Sequence, residues 1–168
     1  MPLSVRKGIT VAFLLVSTIF MIIVGYTTNL YFAVYTTIRN FDASIPKLNM
    51  KVVNSSYILI KTPIAIQNPS ECTLEITQII EGLWLEDKYI LTESLSTHGN
   101  PIQLYPASTI NVTIEAEVPS HRIQYVMARL EKNWVVNTRI FLMAPIAGTF
   151  SWQNSSVIRG VTLIETSS

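Results

Sequence analysis

One cysteine, Cys72, among 168 residues leaves no intrachain disulfide framework to staple a fold. The chain must therefore be held by its core, with Cys72 itself expected as a small buried hydrophobe. Six glycines supply no phosphate-cradling loop, and no G-x-S-x-G elbow occurs. The two histidines stand apart: His98 in a Ser-Thr-His-Gly-Asn loop, expected to be solvated, and His121 just after Ser120. Glu115, Glu117 and His121 could share a face, yet no metal-ligand spacing joins them. Charged residues are only 14% of the chain and the net charge is +1, which gives no electrostatic footprint for nucleic acid. The carboxylates Glu71, Glu75, Glu81, Glu86 and Asp87 are spread as along a solvated face. The expectation is no enzyme: no catalytic, cofactor-binding or metal residues, no cofactor and no small-molecule substrate.

What the chain does have is a run without charge. Residues 8–38 read GITVAFLLVSTIFMIIVGYTTNLYFAVYTTI, with Arg6 and Lys7 before them and Arg39 after. A charge at the bilayer centre costs about 2.5–3.5 kcal/mol even on the lenient insertion scale, so membrane spans exclude it. As a helix this run would be roughly 45 Å long, more than a hydrocarbon core of ~30 Å requires. The reading is a single transmembrane helix with a helical extension, whose Tyr26, Tyr31, Phe32 and Tyr35 suit the headgroup region. Thr27, Thr28 and Asn29 either bond their own backbone or meet a neighbouring helix, where such groups hold spans together. No A-x-A-like cleavage triplet follows Val24, as a secretory signal would require. The tetrad Lys7-Gly8-Ile9-Thr10 resembles the cleavage site of archaeal pilin-type precursors.

Arg6 and Lys7 beside a short tail, residues 1–7, favour a cytoplasmic N-terminus and an exterior C-terminal domain. Three acceptor sequons for N-glycosylation, at Asn54, Asn111 and Asn154, agree with that placement. Residues 39–46 are expected as a linker, and residues 47–168 suffice for one domain.

That domain reads as strands. Residues 45–53 open it, and Ile58, Ile60, Thr62, Ile64 and Ile66 then alternate along 56–67, as a half-buried pleated strand wants. Residues 74–85 form another, with a phase slip expected near Ile79-Ile80-Glu81-Gly82, and Glu86-Asp87-Lys88 turn the chain into 89–94. The cleanest alternation is 109–118, with Ile110, Val112, Ile114, Ala116 and Val118 on one face. Ser120 is the expected N-cap of a helix over 122–132, where Ile123, Val126, Met127 and Leu130 share a stripe. Residues 134–143 return to period two, and 150–152 and 157–164 complete the set. The fold class is mainly β: an antiparallel β-sandwich of immunoglobulin-like kind with one short α-helix, behind a single N-terminal span.

The order of these features resembles the late-embryogenesis-abundant type 2 family, also called the WHy (water stress and hypersensitive response) domain. It is carried by the strand Ile64-Ala65-Ile66-Gln67 ending in Asn68-Pro69, by Pro106-Ala107-Ser108 before 109–118, and by Pro145-Ile146-Ala147-Gly148 after the last long strand. The match covers roughly residues 47–152; Ser70 stands where the family often has Asn, and 86–88 lack its usual hairpin Gly. The resemblance implies a helix-capped β-sandwich, often tethered by one span, with no catalytic constellation to carry over.

By alternation Trp84 points away from Leu83 and Leu85, which makes it a candidate partner surface. The partners implied are the lipid bilayer and other membrane or envelope protein chains. The function expected is a structural or interaction subunit of such a complex. The alternatives are a pilin-like subunit of an extracellular filament and a stress-protective relative of the resembled family.

Overall fold

The structure, a computed structural model, describes residues 3–54, 56–97, 99–144 and 148–164. It opens with α1, Leu3–Asn40, 38 residues that rise to about 57 Å. Its apolar side chains from Ile9 to Val24 lie exposed, with none of the other described residues packed over them. A helix satisfies its backbone internally, which is what a hydrocarbon solvent demands. Its hydroxyls follow the same rule: Thr18 donates to the Leu14 carbonyl at 2.8 Å and Thr27 to the Ile23 carbonyl at 2.9 Å.

The last turns of α1 behave differently. Val34 and Thr37 are buried, and Val34 joins the sandwich core together with Phe41 and Ala43. β1 (Asp42–Ser44) then pairs antiparallel with the end of β3 (Tyr57–Gln67). The expectation of a linker over 39–46 is therefore corrected. Phe41 and Ala43 alternate into the core, and burial of two apolar groups fixes the segment that a linker would leave loose.

Two five-stranded sheets face each other. In the first, β7 (Thr109–Glu117) runs along one side of β3, while β1 and β2 (Asn49–Asn54) share the other. In the second, β4 (Leu74–Leu85) lies between β8 (Asn133–Ala144) on one side and β5 (Lys88–Ser96) with the short β6 (Ile102–Leu104) on the other. β9 (Gly148–Arg159) adds to β8 as the edge, and β10 (Thr162–Leu163) pairs parallel with β2. The helix α2 (Ser120–Met127) caps the end remote from α1, burying Ile123 and Val126.

Several local expectations need correction. The strand foreseen at 45–53 begins at Asn49, and 150–152 and 157–164 are largely one strand, β9. Ser120 makes no capping hydrogen bond, and Pro119 holds the cap position. α2 stops at Met127, because Arg129 and Lys132 donate to the Val126 and Arg129 carbonyls and tighten the chain into turns. The phase slip in β4 falls at Ile76/Gln78, not at 79–82, and opposite Leu83/Trp84 it is β5 that carries an extra residue, Ile90. The hairpin at Glu86-Asp87 is made without glycine: Glu86 itself takes φ 54°.

The core divides into two clusters. One gathers Val34, Phe41, Ile64, Ile66 and Ile140 near α1; the other gathers Ile58, Ile60, Leu83, Trp134 and Val126 near α2. Along β3, β4 and β8 the residues between them are Thr62, Glu81 and Thr138, all buried.

Candidate functional site

Three places in the fold combine polar chemistry with defined geometry. The first is the outer face of the second sheet. Trp84 leaves β4 outward as alternation requires and meets Tyr89 edge-on, with ring centroids 5.5 Å apart. The register sets Tyr89, Trp84, Val135 and Val157 in one row across β5, β4, β8 and β9. The next row holds small or polar side chains, Thr92, Gly82, Asn137 and Ser155. The indole lies over Gly82, where a Cβ would stand 2.5 Å from its Cζ3. The result is a hollow of about 510 Å³ walled by Trp84, Asn137, Arg139 and Gln153. Arg139 Nη2 donates to Gln153 Oε1 at 2.8 Å, which fixes the far wall. Gly82→Val is expected to push the indole off the sheet, costing about 1–3 kcal/mol by overpacking. A changed tryptophan emission maximum and a lower denaturation midpoint would check this; an unchanged emission would contradict the placement.

The second place is the corner after β3. Asn68 is fully buried, and its Nδ2 donates to the carbonyls of Cys72 (2.8 Å), Leu104 (3.0 Å) and Tyr105 (3.1 Å). Its Oδ1 accepts from the Ser70 amide at 3.1 Å and the Ser70 hydroxyl at 2.6 Å. Pro69 sits exposed beside it. Cys72 is half-buried, its Sγ 4.0 Å from the Thr37 hydroxyl, so the corner also receives the last turns of α1.

The third place is Glu81, and it corrects the expectation of a solvated carboxylate. The slip at Ile76/Gln78 turns Ile79, Glu81, Leu83 and Leu85 inward together, and Glu81 has no exposed surface. Its Oε1 accepts from Thr62 Oγ1 at 2.7 Å; its Oε2 and Thr138 Oγ1 are buried without a partner. Burial raises its pKa from 4.5 to about 7, against a lowering by the Thr62 hydrogen bond, with the Glu93 charge adding to the rise. A signal for this was present, because Glu81 shares parity with Ile79, Leu83 and Leu85.

The remaining candidates are scattered. Thr27 donates to its own helix at Ile23 and Val24, while Thr28 and Asn29 lie exposed on α1. Asn54, Asn111 and Asn154 are exposed on three different strands, β2, β7 and β9. His121 is exposed on α2, and His98 lies outside the described residues, as do Pro145, Ile146 and Ala147 of the resemblance and Ser55 of the first sequon. Among the described residues, no three of His, Cys, Asp and Glu gather as a metal site would need. Trp134 is wholly buried, and Trp152 packs edge-on against Phe41 at 5.6 Å.

This geometry defines a class: a long apolar helix joined to an antiparallel β-sandwich whose surface hollow is lined by aromatic, amide and guanidinium groups. No family model matches the chain, and no curated protein matches it. Solved structures do. An Arabidopsis thaliana protein determined in solution aligns with TM-score 0.54 and 18% identity, over 74% of this chain and 83% of its own. A structural-genomics target solved by X-ray aligns at 0.51 and 12%, over 73% and 86%. A protein provisionally described as late embryogenesis abundant (LEA) aligns at 0.45 and 14%, over 87% and 86%. At these identities the first two likenesses establish a shared sandwich fold and nothing about activity.

Proposed function

We propose that this chain is a non-enzymatic, membrane-anchored protein whose sandwich stands outside the cytoplasm and works by contact, as an accessory subunit of an envelope or membrane assembly. One observation carries the reading: an apolar helix that nothing in the protein covers runs directly into the sandwich core through Val34, Thr37 and Phe41. A soluble protein would leave that helix wet at great cost, since each buried apolar side chain is worth about 1.5–3 kcal/mol. The contact surface is the hollow beside Trp84, where an indole, amides and one guanidinium converge as they do at protein interfaces.

The support for contact over catalysis is the arrangement of titratable groups. Glu81 is sealed between the sheets, and Glu71, Glu86 and Asp87 lie exposed on loops. The one hydroxyl that meets Glu81, Thr62, is sealed between the sheets with it, where no substrate reaches.

The test is fractionation of the full-length chain. Carbonate-washed membranes are expected to retain it, and the double change Ile19→Arg with Ile22→Arg, costing about 5–7 kcal/mol of insertion, is expected to release it. Recovery of the unmutated chain in the supernatant would sink the reading. Protease added to intact cells is expected to digest the sandwich. Trp84→Ala is expected to lower the yield of cross-linked partner chains without altering membrane retention.

A further inference from the structure

We propose that the sandwich holds a proton-operated seam: protonated Glu81 lets the two sheets close over Thr62 and Thr138, and loss of that proton admits water between the two halves of the core. The geometry comes first. Cross-strand register sets Thr138 of β8 on one side of Glu81 and Glu93 of β5 on the other, while Thr62 reaches it from the facing sheet. Glu81 Oε2 and Thr138 Oγ1 are two orphan oxygens in one row, both sealed from solvent. Neither oxygen has a partner where it stands, and a buried group without one is costly. A carboxylic acid beside a hydroxyl can both donate and accept, whereas a carboxylate can only accept. Ionised, the same group would be a fully buried charge with no cation beside it and at most the Thr62 and Thr138 hydroxyls to hold it.

Burial and the Glu93 charge favour the neutral form, and the Thr62 hydrogen bond opposes them only in part. β5 contributes Glu93, a like charge; β3 contributes Thr62; β8 contributes Thr138. Opposite Thr62, β7 presents Ile114, and beyond Thr138, β9 presents Asn154. The nearest lysine on β3, Lys61, points to the other face of its sheet and pairs there with Glu115 of β7. The seam also lies where the core is already divided, between the cluster holding Val34 and Phe41 and the cluster holding Trp134 and Val126. Glu93 is half-buried on β5, next to β7 at the margin of the sandwich, and marks where water enters.

The direction with pH follows by linkage. The folded chain keeps a proton up to about pH 7 that the unfolded chain releases near 4.5. Stability is therefore greatest below that window, falls as pH rises through it, and levels off above it. This is opposite to the usual salt-bridged carboxylate.

The experiment uses the full-length chain in lipid nanodiscs. Hydrogen–deuterium exchange, corrected for intrinsic rate, is read on β4 and β8 at about pH 5.5 and pH 8.5. Opening of these strands is expected to increase about 30-fold at the higher pH. In Glu81→Gln the increase is expected to vanish, whereas Glu93→Gln retains most of it. Infrared spectra of the unmutated chain with isotope-labelled glutamate are expected to show a protonated carboxyl near pH 6 that disappears by pH 8.5. That second reading stands even if Glu81→Gln does not fold. The proposal is overturned if no such carboxyl band exists near pH 6, if exchange is indifferent to pH, or if Glu81→Gln responds as the unmutated chain does.

Discussion

Trp134→Ala is expected to destabilise the sandwich by about 3–5 kcal/mol, enough to unfold much of the population of a marginal domain. Trp134 has no exposed surface and is the largest fully buried side chain. It begins β8 between Leu85 of β4 and Ile158 of β9, and belongs to the cluster that includes Ile123 and Val126 of α2. Removing it leaves a cavity that strands on both sides cannot close without breaking their own ladders. α2 would lose its floor as well. Its other ties lie nearer the surface: Tyr125 donates to the Leu85 carbonyl at 3.3 Å and its ring lies under Lys88 at 4.4 Å and Arg129 at 4.2 Å, and Arg129, just past the helix, pairs with Glu86 at 3.4 Å. Such an exposed pair contributes only about 0–1 kcal/mol.

The indole has one weakness that a second variant exploits. Its Nε1 is buried with no hydrogen-bond partner. An unsatisfied buried donor costs about 1–3 kcal/mol, so Trp134→Phe gives up volume but also removes that penalty. Phenylalanine is therefore expected to cost clearly less than alanine, about 1–2 kcal/mol. Circular dichroism during urea unfolding in nanodiscs checks both. Equal losses in the two variants would show that volume at this site matters less than its burial suggests.

Strands declared themselves in the sequence where both faces had distinct chemistry. In β3, isoleucines at 58, 60, 64 and 66 all face inward, and β7 sets Val112, Ile114 and Ala116 against exposed Asn111, Thr113 and Glu115. The long helix α1 was equally plain, because an uninterrupted apolar run of that length announces one. β9 was not plain. Its Ser-Trp-Gln-Asn-Ser-Ser stretch is polar on both faces, since an edge strand packs one side lightly and leaves the rest to water. β1 and β6 are three residues each and owe their existence to pairing with β3 and β4, which no local pattern announces. Helical periodicity continued past Met127, but backbone bonds of three-residue reach ended α2 there.

The same contrast governs the sites. Trp84 faced outward because a single parity rule sufficed, yet the hollow beside it depends on Gly82 accepting a ring from two residues away, a tertiary fact. Glu81 was obscured by a slip three to five residues upstream, at Ile76/Gln78, which re-phases the rest of β4. An acidic residue amid isoleucine and leucine of one parity was a better guide than its charge.

The corner at Asn68 supplies the second large effect. Asn68→Ala is expected to cost roughly 2–4 kcal/mol, because one buried side chain ties four residues together. Its two amide hydrogens reach the Leu104 carbonyl and reinforce those of Cys72 and Tyr105, which also accept from the Ser70 and Ser108 hydroxyls, and its carbonyl holds Ser70, so truncation takes the side-chain donor from Leu104 and loosens the turn. The corner also sets the start of β7, where the Asn68 backbone N–H, kept in the variant, donates to the Ser108 carbonyl at 2.9 Å. It also reaches α1, since Cys72 contacts Thr37 there. Asn68→Asp separates shape from hydrogen bonding. The carboxylate keeps the acceptor toward Ser70 but turns a second oxygen upon three carbonyls, so it is expected to be at least as damaging as alanine near pH 7. As pH falls toward 4 the acid regains a donor, its folded-state pKa standing above the ordinary value, and stability is expected to recover in part. Denaturation midpoints of the two variants at both pH values decide the matter. If Asn68→Asp is indifferent to pH, the amide donors are not what holds the corner, and the junction between helix and sandwich rests on Val34 and Phe41 alone.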